Sequence, residues 1–205
     1  MKVQNNKATL AGTIVSDFVY SHEVFGESFF YINVESVRES GNVDTIRVMV
    51  SERLMNVKEN HVNQRIIING EFRSHKDEKK LSLFLFAQEI QILGEMQCGL
   101  DENSIEIRGF IVKKPFHRVT PLGRDIGDTV IAVHRAYGRS DYLPCIIWGR
   151  NSRFAENLEV GTEVTVTGRM QSREYQKKIS DTESETRVAY EVSIARIDVV
   201  ESEGK

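Results

Sequence analysis

Short segments in which apolar residues alternate with polar ones fill the C-terminal half of the chain, and they predict β-strands. Their enrichment in β-branched residues favours strands over helices. The segments lie at about residues 104–114, 128–137, 142–149, 162–174 and 188–199. Between the third and fourth, RNSRFAENLEVG (150–161) predicts one short helix, with Asn151 or Ser152 as its N-cap and Gly161 after its end.

The same arrangement occurs earlier in the chain, which indicates an internal duplication. ATLAGTIVSD (8–17) resembles SIEIRGFIVKK (104–114) at an offset of 97 residues, and RIIINGEFRS (65–74) matches EVTVTGRMQS (163–172) at an offset of 98. LFAQEIQIL (85–93) matches SIARIDVV (193–200) at the larger offset of 108. This difference reflects an insertion in the second copy, YQKKISDTESETR (175–187), which we interpret as a loop.

Five strands with a helix between the third and fourth form the pattern of the oligonucleotide/oligosaccharide-binding (OB) barrel. In the first copy, SERLMNVKEN (51–60) predicts the equivalent helix, with Ser51 as its N-cap. We therefore predict an all-β chain of two tandem OB-fold five-stranded barrels, each with a short helix between strands three and four. An SH3-like barrel, the alternative, has no helix at that point. The copies join near GEMQCGLDEN (94–103), so the predicted domains are residues 1–98 and 99–205.

Composition and motifs exclude several classes of protein. No apolar run among the 205 residues approaches the ~18 that a membrane span needs. The N-terminus also has no apolar signal-peptide core, which predicts a cytoplasmic location. The five histidines show no metal-ligand spacing, and phosphate-binding loops and nucleophile elbows are missing. We therefore expect no enzymatic activity, no metal and no cofactor, and no disulfide between Cys98 and Cys145.

Local charge and aromatic residues point to a nucleic-acid site in the second copy. Thirteen Lys and Arg against seven Asp and Glu lie between Arg108 and Lys178, although the whole chain has a net charge of −3. Tyr137 ends predicted strand two, Tyr142 begins strand three, Trp148 ends it, and Tyr175 lies in the inserted loop. A basic groove with such exposed rings is typical of single-strand binding by OB barrels. The alternative for Trp148 is a core role, because CIIW is an apolar run.

The second copy resembles the bacterial single-stranded-DNA-binding protein family in motifs and spacing. The shared features are a TP-x-G turn at Thr120, an acidic–aromatic pair at Asp141, and an aromatic–Gly–basic end of a strand at Trp148. They continue with L-x-x-G after the helix and a V-x-V-x-G strand that leads to an aromatic residue at Tyr175. The resemblance covers about 95 residues, which is the whole second copy.

This resemblance implies roles for individual residues. Base stacking falls to the four aromatic residues, which are Tyr137, Tyr142, Trp148 and Tyr175. Phosphate contacts fall to the basic residues of the matching strands and loops, which are Arg118, Arg135, Arg150, Arg153, Arg169 and Arg173. Charge and loop position add Arg124, Lys177 and Lys178. The alternative for each basic residue is a solvated surface charge.

The first copy departs from this pattern at every stacking position. Its residues there are Arg38, Thr45, Ser51 and Asp77, and residues 1–98 contain 11 Lys and Arg against 13 Asp and Glu. We therefore expect a degenerate OB domain that pairs domains or binds a partner. Its own aromatic residues leave a different aromatic surface open as an alternative, although the alternation of Phe29, Phe30 and Tyr31 favours ordinary strand positions.

The predicted function is binding of single-stranded DNA with little sequence preference, in replication, recombination or repair. The sequence ends at VVESEGK (199–205) without the acidic tail of the family, so an accessory or mobile-element role is expected. The resemblance also implies a homodimer that presents four OB domains, and replication or recombination proteins as partners. The alternatives are a protein-interaction adaptor of a primosome or mobile-element complex, and RNA binding.

Overall fold

The computed structural model describes residues 5–77, 80–94, 101–180 and 184–201, and it is mostly β. The first six strands form the N-terminal half: β1 (Asn6–Ile14), β2 (Val19–Val24), β3 (Glu27–Val37), β4 (Val43–Ser51), β5 (Arg65–Asp77) and β6 (Lys80–Ile92). The C-terminal half contains β7 (Glu102–Val119), β8 (Asp125–His134), β9 (Ser140–Trp148), helix α1 (Arg150–Ala155), β10 (Glu163–Lys178) and β11 (Ser184–Val199). No helix in the described residues is long and apolar enough to cross a membrane.

Strand pairing closes each half into a circuit of five strands. In the C-terminal half the order is β7–β8–β9–β11–β10, and β10 pairs again with β7. In the N-terminal half the equivalent order is β1–β3–β4–β6–β5, which returns to β1. β9 and β11 pair in parallel, as do β4 and β6, and the other pairs in each circuit are antiparallel. The C-terminal half has the five strands and the one short helix that the sequence predicted.

The inward-facing positions of these strands are apolar and fully buried. Leu10, Ile32 and Phe72 lie in the core of the N-terminal half, while Ile107 and Leu143 lie in that of the C-terminal half. Their neighbours along each strand face outward, as the period-2 pattern requires. The outward positions are the ones that can form a binding surface.

The predicted helices have different outcomes in the two halves. Helix α1 lies where it was predicted, but its N-cap is Gly149 rather than Asn151 or Ser152. The helix predicted after Ser51 is wrong, because residues 52–64 form turns. There, Asn56 Oδ1 accepts the backbone N–H of Lys58 and Asn60 Oδ1 accepts that of Val62. Such local bonds compete with those of a helix.

The two halves are joined by a contact that repeats about an approximate two-fold axis. β1 and β7 pair antiparallel, with Ala8 opposite Ile105, and these two residues are equivalent at the offset of 97. Side chains at equivalent positions also make equivalent bonds. Asn6 bonds to the backbone of Phe72, and Asn103 bonds to that of Met170. The predicted domain boundary at residues 98 and 99 lies outside the described residues and stays a prediction.

Candidate nucleic-acid interface

Two of the predicted stacking residues present exposed rings. Tyr142 lies near the start of β9 and is 50% exposed, on the face opposite the buried Leu143 and Cys145. Tyr175 is 38% exposed and lies inside β10, opposite Arg187 of β11, rather than in the predicted loop. Strands β10 and β11 continue across most of the insertion, because residues 175–178 pair with residues 184–187.

Trp148 is held more firmly than either tyrosine. It is the last residue of β9, and its indole Nε1 donates a hydrogen bond to Ser193 Oγ at 2.9 Å. The side chain is partly buried, so the ring is neither a core plug nor a fully open platform. Beside it lies a shallow cavity of about 240 Å³ that Arg124 and Arg169 also line.

Tyr137 does not end a strand as predicted. β8 ends at His134, and Tyr137 lies in a short 3-10 turn over Ala136–Gly138. The Tyr137 side chain lies outside the described part of the structure.

Four of the predicted phosphate-binding residues have no carboxylate partner in the described part of the chain. They are exposed and lie in the turn before β8, at the start of α1 and near the end of β10: Arg124, Arg150, Lys177 and Lys178. A cation without an internal partner retains its full charge for a phosphate. These four therefore fit the predicted role most directly.

Three other predicted contacts already have acidic partners. Arg118 Nε donates to Asp128 at 2.5 Å, and this bond raises the pKa of the guanidinium. Arg153 donates to Asp125 at 2.6 Å. Arg173 Nε lies 3.7 Å from Glu191. The pairs of Arg118 and Arg153 are exposed and therefore weak, so a phosphate can compete for these two arginines, whereas the partner of Arg173 is buried.

The remaining two predicted contacts lie between the halves of the chain. Arg135 binds Asp141, and its Nη2 also donates to the backbone oxygen of Ser74 in the N-terminal half at 2.8 Å. Arg169 lies beside the buried Asp44 of the N-terminal half, at 3.8 Å, and burial together with nearby Arg38 lowers its pKa. Both arginines therefore have a structural role that the sequence did not reveal.

A groove of about 490 Å³ brings part of the predicted set together. Tyr175, Arg173 and Lys177 line it, and so do Arg187 and Arg47, which sequence reasoning missed. Arg187 lies across from Tyr175 on the hairpin. The sequence signal that could have identified Arg187 was its place, with Tyr175 and Lys177, in the inserted segment 175–187. Arg47 belongs to the N-terminal half, and nothing in the sequence places it beside Tyr175.

The buried carboxyl group of Glu191 lines one side of this groove. Glu191 on β11 is 6% exposed, and this burial raises the pKa of its carboxyl, while Arg173 and Arg118 act in the opposite direction. Gln171 Nε2 donates to Glu191 Oε1 at 3.2 Å. In the described residues, no group of three or more His, Cys, Asp or Glu is arranged to hold a metal ion.

Solved structures with a similar fold match almost the whole chain. The single-stranded DNA binding protein from Thermus aquaticus matches with a TM-score of 0.78 and 20% identity, over 98% of this chain and 95% of that chain. A deletion variant of the same protein matches with a TM-score of 0.76 and 20% identity, over 98% and 96%. The N-terminal domain of PriB from Thermoanaerobacter tencongensis is 35% identical over 44% of this chain and 98% of that chain. Its TM-score of 0.40 is too low to indicate a function.

A sequence model of a protein family matches part of the chain and adds information that similarity of fold alone does not give. No curated protein matches the chain. The model of the single-strand binding protein family matches residues 102–199, which is the segment that carries the predicted stacking residues. The predicted resemblance of the second copy to a family of binding proteins rather than enzymes is confirmed by this match. The C-terminal half of the chain matches the single-strand binding protein family.

Proposed function

We propose that the chain is a tandem OB-fold protein that binds single-stranded DNA with little sequence preference, mainly through its C-terminal half. The observation that carries this proposal is the family match over residues 102–199, where Tyr142, Trp148 and Tyr175 are accessible among basic side chains. Lys and Arg attract the phosphate backbone, and the rings offer faces on which bases of any sequence stack.

The proposal assigns different work to different residues. Tyr142 and Tyr175 stack on bases, while Trp148 offers one face with its indole nitrogen already bonded to Ser193. Arg124, Arg150, Lys177 and Lys178 supply charge without first breaking an ion pair within the described structure. Arg118, Arg153 and Arg173 exchange a carboxylate for a phosphate, which weakens their net contribution.

The single tryptophan gives a direct test. The protein is titrated with oligo(dT) at low salt, and Trp148 fluorescence and the anisotropy of a labelled oligonucleotide are followed together. We expect quenching and binding that both reverse on addition of NaCl, because released counterions make the affinity salt-dependent. Absence of both signals contradicts the proposal and favours a protein-interaction adaptor. Binding without quenching removes Trp148 from the set of contacts, and an equimolar oligo(U) competition separates DNA from RNA preference.

We also propose that two chains associate to present four OB domains, in replication, recombination or repair. This rests on the family resemblance. Light scattering after size exclusion is expected to give twice the chain mass of 23.4 kDa. A mass of one chain contradicts the proposed dimer and leaves the DNA-binding proposal unaffected.

A further inference from the structure

The outer face of the N-terminal half carries aromatic rings and arginines side by side. Tyr31 on β3 and Arg47 on β4 share this face, and the Arg47 guanidinium carbon lies 3.7 Å from the centre of the Tyr31 ring. Arg73 on β5 lies 3.8 Å above the ring of Phe86 on β6. We call this surface, lined by Tyr31, Arg47, Arg73, Phe84 and Phe86, the arginine–aromatic groove.

Two of these rings, Tyr31 and Phe86, are not members of the buried core, whereas Phe84 is buried. Their neighbours along the strands, Ile32 and Leu85, face inward and are fully buried, whereas Tyr31 and Phe86 are half-buried on the outer side. The rings also contact one another, with 5.7 Å between the centres of Tyr31 and Phe84. The outer side of the sheet therefore carries rings that pack against arginine guanidinium groups.

The groove is strongly basic. It has a volume of about 750 Å³, and no Asp or Glu is among the described residues that line it. Arg135 and Arg139 of the C-terminal half line it together with Arg47 and Arg73. Arg47 and Arg139 have no carboxylate partner in the described structure, whereas Arg73 is paired with Glu71 and Arg135 with Asp141. Two positive charges at this aromatic surface are thus without a carboxylate partner in the described structure.

The groove is continuous with the candidate site of the C-terminal half. Arg47 and Ser82 line both the arginine–aromatic groove and the groove that contains Tyr175. Ser74, which also lines the arginine–aromatic groove, accepts a hydrogen bond from the backbone N–H of Tyr142 at 2.9 Å. Both exposed tyrosines of the C-terminal half therefore border this surface.

We propose that the arginine–aromatic groove is a second contact surface for single-stranded DNA, so that one strand crosses from the C-terminal to the N-terminal half. This inference rests on the proposed function. It replaces the expectation of an N-terminal half without DNA contacts, and it uses none of the four positions that match the stacking set. Arginine planes and aromatic rings both stack on bases, and unpaired guanidinium groups bind phosphates.

The test compares a groove variant with a matched control. The variant Tyr31→Ala/Arg73→Gln removes one ring and one cation from the groove and leaves Arg47, which also lines the groove of Tyr175, unchanged. The control Tyr20→Ala/Arg53→Gln removes an exposed tyrosine and an exposed arginine from the N-terminal half outside the groove. Circular dichroism and melting temperature show that each variant is folded. If the groove variant does not fold, Arg73→Gln replaces it.

Oligonucleotide length separates the two halves in this experiment. A dT oligomer of about 8 nucleotides fills one OB domain, and one of about 30 spans both. We expect the groove variant to bind the short oligomer like the wild type. It should bind the long one about tenfold or more weakly, with a shallower salt dependence. Trp148 quenching at saturation remains, because that reporter lies in the C-terminal half.

Each other outcome has a distinct meaning. Equal affinity and equal salt dependence of the groove variant and the wild type for the long oligomer overturn the inference, provided that the wild type binds and is quenched. If the groove binds a poly-Glu peptide and the groove variant binds DNA like the wild type, the inference is also overturned. The surface is then assigned to acidic proteins. Loss of binding and quenching in the wild type itself indicates failure of the proposed function.

Discussion

Tyr142 and Trp148 lie six residues apart on the same face of β9, yet the structure holds them differently. Trp148 is fixed through its indole nitrogen by Ser193, a buried residue of β11. The Tyr142 side chain has no hydrogen bond in the described structure, its backbone N–H donates to Ser74, and half of the residue is exposed. The Tyr142 ring can therefore meet a base without breaking a side-chain bond.

Replacement of Tyr142 by alanine should weaken DNA binding without loss of stability. We expect a loss of about 1–3 kcal/mol in binding free energy, the range for one stacked base. The melting temperature should change little, because the ring contacts solvent rather than core. Anisotropy titrations with oligo(dT) give the binding free energy. Tyr20→Ala, which removes a ring of similar exposure on β2, is the control. Equal effects of both changes would show that Tyr142 is not a contact.

Glu191 predicts a pH dependence of stability. Its buried carboxyl has a pKa above the ordinary value of 4.5, so the folded state binds a proton more tightly than the unfolded state. Stability at this site is therefore full below the ordinary pKa and decreases as the pH rises toward the raised value. Glu191→Gln should flatten this decrease and raise the melting temperature at pH 7, while an amide oxygen can still accept from Gln171.

Melting curves between pH 4 and 8 measure this effect. Glu156→Gln, at an exposed position after α1, is the control and should leave the slope unchanged. A Glu191→Gln variant that melts below the wild type at pH 7 would mean that the contact with Arg173 outweighs the cost of burial.

At the scale of elements, the sequence predicted the strands and the helix whose apolar side chains are buried. The core strands and α1 carry a strong apolar pattern, and they were located to within a few residues. The end of the β10–β11 hairpin was missed, because its residues alternate between polar and charged types and face solvent on both sides. Cross-strand pairs such as Gln176 Nε2 to Thr186 Oγ1, at 2.7 Å, stabilise it instead. A hydrophobic pattern cannot show such pairs.

Equivalent glycines at two β-bulges support the alignment of the copies. The pairing register shifts at Gly70 in β5 and at Gly168 in β10, and a Cβ atom would lie 2.1 Å from the carbonyl oxygen of Phe86 or Ser193. Only glycine allows the strands to approach this closely. The glycine pattern read from the sequence thus has a steric cause.

Gly168→Ala should destabilise the C-terminal half. We expect a loss of about 1–3 kcal/mol or more in the free energy of unfolding, because backbone rather than a flexible side chain must move. The change also displaces Ser193, so Trp148 fluorescence should shift in the folded state. Urea unfolding measures the first effect. Gly94→Ala, where a Cβ meets no atom within 4 Å, is the control, and an equal loss there would contradict the steric explanation.

At the scale of the whole molecule, contacts between the halves were not predictable from the sequence. The family resemblance assigned Arg135 and Arg169 to DNA, but the sequence does not show which carboxylate each one meets. The structure places Asp141 with Arg135 and Ser74, and Asp44 with Arg38 and the backbone N–H of Ser172. These clusters are equivalent at offsets of 97 and 98, so duplication produced two matching links, and Arg38 is equivalent to Arg135 rather than to Tyr137 as the sequence alignment had it.

The two clusters should couple the unfolding of the halves. Asp44 and Asp141 are at most 1% exposed, and loss of one charge in a buried pair leaves its partner uncompensated at a cost of about 3–5 kcal/mol. We expect wild-type protein to unfold in urea in one transition seen alike by Trp148 fluorescence and far-ultraviolet circular dichroism. Asp44→Asn/Asp141→Asn should unfold at lower urea, and the two signals should separate, because Trp148 reports only on the C-terminal half.

The control for this separation is Asp128→Asn, which breaks an exposed pair with Arg118 and should cost less than about 1 kcal/mol. Coincident signals in the double variant would contradict the coupling role of the clusters. Such a result would assign the coupling to the β1–β7 pairing, whose six residue pairs join the two halves through their backbones. Because the arginine–aromatic groove crosses the same junction, separated halves should also lose the affinity for long oligonucleotides while they keep that for short ones.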